Sequence, residues 1–537
     1  MQSRWKVPDP SSVCLVTAFL AYAALYLFRT SFLIGNTRYF TLVDDQMISM
    51  RYAKHLAAGL GLVWNPGGPR VEGYTNTLWM LYMALLHLLH IPAQVISVAV
   101  EATGVVLLAL NLLVTRRLAE HISNSRAAGI MAATLTAFYV PLDNWAFQGT
   151  EVSALTLLTT VATYYLVTES KALWMPWILV GIACLVRPDG LILGFALVVG
   201  VLIRRREDWQ SQVVRSCVVI VPVMVIQTAF RLWYFGDVLP NTYYLKLTGI
   251  PLSTRVTRGC VVTLIFLVQV APLAGPVVWR FIRDEWRQTF VLPLVVVATH
   301  LAYNVYIGGD AWEWWGGSNR FVSIAMPLFF VMVADASIKY IPAGRFSTLK
   351  LCGTAAVCIA CVNVLSFSVW PTGAALRRLL LLEKPPQTLQ DSNAVRAALA
   401  IREVTDPSAV IAVSWAGAIP YFSERPAIDL LGKMDPKVAR QPMHVPVGGP
   451  AWAAFVPGHL KWDYAYPIGE LKPDLIQSPL WTVPGVQDAR PADLTREYEL
   501  WNVVGEWYVR KDSPAIHLER LATSSASAGA SVAKAGL

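Results

Sequence analysis

Charged residues are scarce in this chain of 537 residues, since Asp, Glu, Lys and Arg make up 15% of it, against about 25% in a typical soluble protein. Cysteine is also rare: all seven residues lie in apolar segments, and the soluble tail has none. We therefore expect neither a disulfide framework nor a structural zinc site. The sequence has no internal repeat, and the low charge excludes a soluble multidomain protein or a disordered chain.

Hydrophobic residues are abundant instead, at 55% of the chain, and long apolar runs recur between Val13 and Trp370. Because a membrane-spanning helix needs about 20 apolar residues, the runs predict a polytopic α-helical membrane protein with about 11 spans. The predicted spans are 13–34, 93–115, 127–142, 151–168, 172–187, 189–203, 213–231, 259–280, 289–307, 321–338 and 351–370.

Basic residues concentrate in alternate short loops, such as 204–206 and 280–287. This bias predicts a cytoplasmic N-terminus, an external C-terminus and a place in the inner (cytoplasmic) membrane. It also accounts for the formal charge of +9, so we expect no nucleic-acid partner. Residues 77–91 are apolar but short, and the charge bias favours a helix that lies in the outer interface. The first run lacks a small-residue cleavage site and is interpreted as a retained span.

The composition changes near residue 372, where Pro, Trp and charged residues become frequent. We predict a transmembrane module over 1–371 with a long first external loop (35–92), a soluble periplasmic α/β domain over 372–520, and a disordered tail over 521–537. Within the soluble domain, residues 396–404 predict a helix. Residues 409–423 (AVIAVSWAGAIPYFS) predict a buried strand, a glycine turn and a further strand.

Two adjacent carboxylates, Asp44 and Asp45, stand at the mouth of the first span. Acidic residues at the start of a helix suit the helix dipole, which is one explanation for them. The other is catalytic, because a positioned Asp can take the proton of a sugar hydroxyl that attacks an anomeric carbon. Both explanations remain open at this point.

Three cations are candidates for binding a lipid phosphate, which needs charged donors near the interface. Arg320 begins a span on the external side, where the charge bias predicts few basic residues. Lys246 follows a stretch rich in Asp, Asn and Tyr. Arg187 lies at membrane depth, where it must be paired or face water. A structural pair of Arg187 with Asp189 or Glu151 is as compatible with the sequence as a role in binding.

Candidates for binding an acceptor or a sugar are polar and aromatic residues of the external loops and the soluble domain. They are Glu72, Asp143, Trp145, Glu151, Asn241, Tyr244, Asp310, Trp312 and His459. The candidates lie at the outer ends of spans, in the external loops or in the soluble domain, whereas transporters place such groups at the bilayer midplane. The distribution favours chemistry at the outer surface, with a transporter or flippase for a lipid-linked or polar solute as the alternative and a non-catalytic scaffold as a third class.

Short motifs occur in a fixed order along most of the chain. They are VDD at 43–45, RYAKHLAAGLGLVWNPG and RVEGYTN in the first loop, GTE at 149–151, RPDG at 187–190, GDVLPNTYYLK at 236–246, GGD at 308–310 followed by Arg320-Phe321, AGAIPYFSERPAIDLLGKMDPKVAR, GHLK at 458–461 and KPDLI at 472–476. In this order they resemble the GT-C fold glycosyltransferases that use polyprenyl-phosphate-linked sugars. The most similar members are the bacterial terminal arabinofuranosyltransferases of the mycobacterial cell wall.

The resemblance implies an inverting transfer of arabinofuranose from a polyprenyl-phosphate donor to an envelope glycan or glycoprotein acceptor. It implies Asp44 as the general base, with Asp45 as its neighbour and substitute, and Arg320 and Lys246 as ligands of the donor phosphate. Enzymes of this fold that use monophosphate donors generally need no metal, so we expect no metal and no other cofactor. The fifth external loop, AWEWWGGSN, is bulkier than the family pattern. An oligosaccharyltransferase is disfavoured because the sequence shows no matching peptide-binding signature.

Overall fold

The computed structural model describes residues 10–204, 207–283, 288–313, 319–340, 348–367, 373–385, 387–445, 448–483, 486, 494–502 and 505–520. The predicted disordered tail over 521–537 lies outside the described residues, as does the segment 314–318 of the fifth external loop.

Apolar helices follow the hydrophobic runs of the sequence. The helices before the soluble domain are α1 (Pro10–Thr30), α2 (Asp44–Ala57), α3 (Thr77–Leu88), α4 (Ile96–Ser123), α5 (Arg126–Ala137), α6 (Val140–Phe147), α7 (Val152–Val167), α8 (Met175–Val186), α9 (Gly190–Ile203), α10 (Trp209–Phe235), α11 (Asn241–Lys246), α12 (Leu252–Ile282), α13 (Val291–Ile307), α14 (Arg320–Ser323), α15 (Met326–Tyr340) and α16 (Thr348–Phe367). Among the described residues, five helices are long and apolar enough to cross a membrane, namely α1, α4, α10, α12 and Gln288–Ile307, which includes α13. The multi-pass helical class is confirmed, and the count of 11 spans stays a prediction.

Prolines mark the breaks between three pairs of apolar helices. The predicted span 127–142 is divided between α5 and α6, and the predicted span 321–338 is divided between α14 and α15. Pro141 and Pro327 lie in the first turn of α6 and α15, where a proline is tolerated because its missing N–H would have no partner there. Likewise α8 ends at Val186 and α9 begins at Gly190, on either side of Pro188. Because of these breaks, helix ends with their backbone groups and polar side chains lie inside the bundle.

The soluble domain is α/β, as predicted, and is built on a mixed sheet of five strands. Its helices are α17 (Gly373–Leu379), α18 (Gln387–Val404), α19 (Ala418–Ser423), α20 (Pro436–Ala439) and α21 (Leu494–Glu497), with one turn of π-helix at Ala465–Glu470. The strands are β3 (Ile411–Val413), β4 (Ala427–Asp429), β5 (Leu475–Gln477), β6 (Tyr498–Asn502) and β7 (Glu506–Arg510); a separate antiparallel hairpin, β1 (Phe32–Ile34) and β2 (Thr37–Tyr39), follows α1.

The sheet order is β4–β3–β5–β7–β6, with β3 parallel to both β4 and β5 and with β7 antiparallel to β5 and β6. The prediction of a second strand within 409–423 is wrong, because residues 418–423 form α19. Pro420 has no N–H to donate to a strand ladder, which disfavours a strand there.

The first external loop and the soluble domain share one hydrophobic core. Met47, Met50 and Trp79 of the loop pack in the same buried cluster as Val413 and Trp507 of the sheet. The sequence boundary near residue 372 is therefore not a boundary of packing.

Buried Arg51 of α2 strengthens this junction, since its guanidinium donates hydrogen bonds to backbone carbonyls on both sides. The acceptors are Trp64 O at 2.6 Å, Arg425 O at 2.8 Å and Pro420 O. Loop and domain consequently close over one end of the helical bundle as a single unit.

Candidate active site

Asp44 and Asp45 begin α2, at the junction of the first external loop and the soluble domain. The Asp44 carboxylate accepts hydrogen bonds from the backbone N–H of Gly417, at 3.1 Å, and of Ala418, at 3.0 Å. Burial nevertheless raises the pKa of Asp44 to about 6, against the lowering effect of Lys433 and of these two N–H groups. A carboxyl with this pKa is largely ionised at neutral pH and still accepts a proton readily.

Asp45 has the opposite electrostatic environment. Its two carboxylate oxygens pair with Lys433 and with Arg320, the latter at 3.5 Å. Burial alone would raise the pKa of Asp45, but Lys433, Arg320 and Lys246 hold it well below its usual value. Asp45 therefore stays ionised and holds two cations in place.

Arg320 also contacts Asp310 and Trp145. Its Nε lies 3.3 Å from Oδ2 of Asp310, which is buried, and its guanidinium lies over the Trp145 ring, 5.2 Å from the centroid. The predicted sugar-binding residue Asp310 thus contacts Arg320 and does not line a cavity.

Lys246 at the end of α11 is the remaining cation of this cluster. Its side chain makes no hydrogen bond or ion pair with any residue that the structure describes. Burial and the nearby Arg320 lower its pKa to about 7, against the raising effect of Asp45. A lysine so placed has unused hydrogen-bonding capacity for an anion that enters the cavity.

The GHLK motif positions Lys246. Gly458 packs against its stem, where a Cβ would lie 3.2 Å from Lys246 Cε. Lys461 is fully buried and donates hydrogen bonds to three backbone carbonyls. The acceptors are Tyr244 O at 2.9 Å, Thr248 O at 2.6 Å and Ala439 O at 2.7 Å. This motif ties the α11 segment to the soluble domain.

Four cavities that share residues run from the bundle to the surface of the soluble domain. The bundle cavity lies among apolar side chains of α7 and α9, faces His300 and Tyr303 of α13, and is also lined by Glu151, Arg187 and Arg320. The cation cavity shares those three residues and adds Asp45, Lys246 and Lys433. The aromatic chamber shares Asp45 and Lys433 with it and adds Asp44, Trp145, Trp312, Trp415 and His459. The outer groove shares Asp44, Gln390, Asp391 and Trp415 with the chamber.

Arg187 forms both of the ion pairs that the sequence left open. Its guanidinium donates to Glu151 at 2.6 Å and to Asp189 at 2.7 Å. Glu151 in turn accepts from Gln46 of α2 at 2.8 Å and from Asn76 at 3.2 Å. The two carboxylates balance the charge of Arg187, so it offers less positive potential than Lys246 does.

Aromatic rings line the chamber between the cations and the outer groove. Trp312 lies 5.1 Å from His459 and 5.8 Å from Trp415 between ring centroids. Burial lowers the pKa of His459 to about 3, so this imidazole is neutral at physiological pH. Neutral rings of this kind suit the apolar faces of a sugar better than they suit a charged group.

Besides Asp310, four predicted acceptor- or sugar-binding residues do not line any of these cavities. Glu72 pairs with Arg231 at 2.8 Å, and Tyr244 lies beneath the guanidinium of Arg440. Asn241 donates to the carbonyls of Gly432 and Lys433, at 2.9 Å each. Asp143 is buried in α6, and neither carboxylate oxygen has a hydrogen-bond partner among the described residues.

Sequence reasoning did not single out Lys433, Asp391 or Trp415, which all belong to the soluble domain. Lys433 lies within the AGAIPYFSERPAIDLLGKMDPKVAR stretch, so the motif order was the one signal that pointed to it. Its pairing with Asp45 joins residues 388 positions apart in the chain. Within the described ranges, no group of three or more His, Cys, Asp and Glu side chains converges as metal ligands, and the expectation of no metal stays a prediction.

Gly417 lies where the backbone of the soluble domain closely approaches α2. A Cβ at this position would overlap the Asp44 carbonyl oxygen and lie 2.7 Å from Asp44 Oδ1. We expect Gly417→Ala to lower the stability of the protein by about 1–3 kcal/mol, because backbone must move to admit the methyl group. Thermal unfolding in detergent measures the effect. Gly469→Ala is the control, since no atom lies within 4 Å of its Cβ position, and an equal midpoint for both variants would contradict the packing seen here.

Comparisons with known proteins identify the fold. Residues 387–524 match a family model described as a domain of unknown function, DUF8728. No curated protein sequence matches the chain. Among solved structures, ArnT from Cupriavidus metallidurans in the apo state is similar over 93% of this chain and 98% of its own, with 13% identity and a TM-score of 0.53. The same protein bound to undecaprenyl phosphate matches over 78% of this chain and 86% of its own, with 13% identity and a TM-score of 0.47.

An oligosaccharyltransferase from Archaeoglobus fulgidus, in complex with Zn and sulfate, is similar over 90% of this chain and 74% of its own, with 12% identity and a TM-score of 0.52. ArnT and the oligosaccharyltransferase share the GT-C fold of membrane glycosyltransferases. The chain therefore has the GT-C fold that its motifs predict.

Proposed function

We propose that this protein is a glycosyltransferase of the inner membrane that moves a sugar from a polyprenyl-phosphate donor to a hydroxyl of an envelope glycan or glycoprotein. The observation that carries the proposal is the row of cavities that share lining residues, from membrane-level helices, past a cluster of cations, to the half-buried carboxylate of Asp44. The GT-C fold supports it. The soluble domain then lies on the periplasmic side, where the charge bias of the loops places it.

Each part of the donor matches the chemistry of one cavity in this row. Its phosphate belongs in the cation cavity, where Lys246 has no partner among the described residues and Arg320 and Lys433 are held by Asp45. The prenyl chain belongs beside the apolar residues of the bundle cavity. The sugar then extends into the aromatic chamber. Cations placed at the leaving phosphate stabilise the charge that develops as the glycosidic bond breaks.

Asp44 is the general base of the proposed reaction. The acceptor oxygen forms a bond to the anomeric carbon, its proton goes to Asp44, and the bond from the anomeric carbon to the phosphate oxygen breaks with its electron pair on the phosphate. Attack from the side of Asp44 on a sugar whose phosphate lies among the cations displaces the leaving group from the opposite face, which inverts the anomeric configuration. Asp45 is a poorer base because its pKa is well below the usual value.

For the donor sugar we propose arabinofuranose. The support is the order of the short motifs along the chain, which resembles that of the bacterial terminal arabinofuranosyltransferases.

Transfer by the purified protein in nanodiscs tests the function directly. A panel of polyprenyl-phosphate sugars, each with a labelled sugar, is incubated with short envelope oligosaccharides, and labelled product is separated from lipid. We expect product from the arabinofuranose donor. Absence of product with every donor, together with movement of an intact lipid-linked sugar across sealed vesicles, would contradict transfer and favour the flippase.

The pH dependence of kcat/KM for the donor should be bell-shaped. Transfer falls below about pH 6, because Asp44 becomes protonated and cannot accept a proton. It falls again above about pH 7, because Lys246 loses its charge and binds the phosphate less well. In Lys246→Arg the alkaline limb should disappear, since arginine stays protonated. An acid limb that persists unchanged in Asp44→Glu and Asp44→Asn would exclude Asp44 as its origin.

A further inference from the structure

The outer groove is a cavity of about 420 Å³ lined mostly by residues of the soluble domain. One wall is the face of α18 that carries Gln390 and Asn393. The other wall is formed by Gln477 and Ser478, at and just beyond the end of β5, and by Glu506 at the start of β7. Asp44 lies at its inner end, where the groove meets the aromatic chamber. The groove therefore leads from the surface of the domain to the proposed base.

Side-chain amides along the groove have hydrogen-bonding capacity to spare. The amides of Gln390 and Asn393 make no hydrogen bond with any residue that the structure describes. Gln477 uses its Oε1 to accept from the backbone N–H of Ser414 at 2.9 Å and of Trp415 at 3.2 Å, and its Nε2 has no partner within the same described set. Amides both donate and accept, which suits the hydroxyl groups of a carbohydrate.

Trp415 stands at the inner end of the groove with its ring half-buried. The two backbone bonds to Gln477 hold its loop, and Trp481 packs against its ring edge to face at 5.8 Å. A rigid ring beside free amides provides an apolar platform and polar edges, the two surfaces that a sugar ring presents.

The charge of the groove disfavours an anionic occupant. Its described lining includes the carboxyls of Asp44 and Glu506, the carboxyl of Asp391, whose pKa burial raises well above its usual value, and no Lys, Arg or His. The cation cavity, in contrast, is lined by Lys246, Arg320 and Lys433. A phosphorylated acceptor would meet like charge in the groove and would compete for the cations that the donor phosphate needs.

Resting on the proposed function, we infer that the outer groove binds a neutral glycan chain and delivers its terminal hydroxyl to Asp44. Gln390 and Asn393 bind hydroxyls of sugar units beyond the reacting one, and Trp415 carries a sugar face next to the aromatic chamber. The acceptor is therefore an uncharged polysaccharide end and not an anionic lipid.

The experiment compares the wild type with the double variant Gln390→Ala/Asn393→Ala, using short neutral arabino-, manno- and gluco-oligosaccharides and a phosphorylated form of each. We expect the double variant to raise KM for the best neutral acceptor about tenfold, through the loss of two hydrogen-bonding groups, with kcat and donor KM unchanged. Glu403→Ala is the control, because Glu403 is an exposed residue of the same helix that does not line the groove. The wild type should use the phosphorylated acceptors at least tenfold less well.

An unchanged acceptor KM in the double variant would overturn the inference, as would equal use of neutral and phosphorylated acceptors. Slow transfer of the donor sugar to water, measured without any oligosaccharide, reports the proposed function separately. If the wild type consumes no lipid-linked sugar but binds the oligosaccharides through Gln390 and Asn393 in saturation-transfer NMR, the groove assignment holds and the donor assignment fails.

Discussion

Asp44→Asn is expected to lower the rate of sugar transfer by about 10²–10⁴, the usual contribution of a positioned general base. Asparagine has nearly the same shape as aspartate, and its Oδ1 can still accept the N–H groups of Gly417 and Ala418. The junction of α2 with α19 should therefore survive, while the atom that takes the acceptor proton is lost. Donor KM should change little, because the phosphate ligands are on other residues.

Steady-state transfer of labelled sugar measures kcat and donor KM for this variant. Asp237→Asn provides a matched control, since Asp237 forms a half-exposed ion pair with Arg440 at 2.8 Å, away from the four cavities. Asp45→Asn should behave differently from Asp44→Asn and mainly raise donor KM, because Asp45 orders Lys433 and Arg320. Turnover near that of the wild type in Asp44→Asn would show that the base lies elsewhere.

Lys246→Met should lower kcat/KM for the donor by about 10²–10³, the cost typical of removing one preorganised donor from a developing negative charge. The substitution is informative because Lys246 has no ion-pair partner among the described residues, so its loss leaves no close carboxylate unpaired. Methionine keeps the apolar stem that packs beside Gly458. The same argument does not apply to Arg320, whose removal would leave Asp45 and Asp310 without a partner.

Kinetics with varied donor concentration separate binding from turnover in this variant. Lys437→Met serves as its control: Lys437 is an exposed lysine of α20 that pairs with Glu470 at 3.3 Å. Lys246→Arg should retain most activity at pH 6–7 and more than the wild type at alkaline pH. Full activity of Lys246→Met at physiological pH would remove Lys246 from the proposed phosphate site.

Local sequence patterns were sufficient for the helical part of the fold. The apolar runs are helical along most of their length, because the hydrophobicity of each side chain favours its burial in lipid or in the bundle. The exact ends were harder to predict: Pro141 and Pro327 divide runs that hydrophobicity alone joins. In the soluble domain, Pro420 turns an apolar segment that looks like a strand into α19.

The candidate site was only partly predictable. Ionised groups near a membrane are energetically costly, so those that occur there usually have a function. In a chain with few charges this argument points to Asp44, Asp45, Lys246 and Arg320. Glu72 and Asn241 stand out in the same way, yet they serve packing between segments, as their pairs with Arg231 and with the carbonyl of Lys433 show. Composition cannot distinguish a role in the site from a role in packing, because both require the same residue types.

The sequence by itself determined that this protein is a polytopic helical membrane protein with a soluble α/β domain and a conspicuous acidic pair after its first span. Those conclusions depend on side-chain hydrophobicity and on residues close together in the chain. Only the tertiary structure decided that Lys433 meets Asp45, that Gly417 meets Asp44, and that one row of cavities joins the bundle to the outer groove. The first two contacts join segments more than 370 positions apart, and such pairings are set by the packing of the whole core, which no local pattern records.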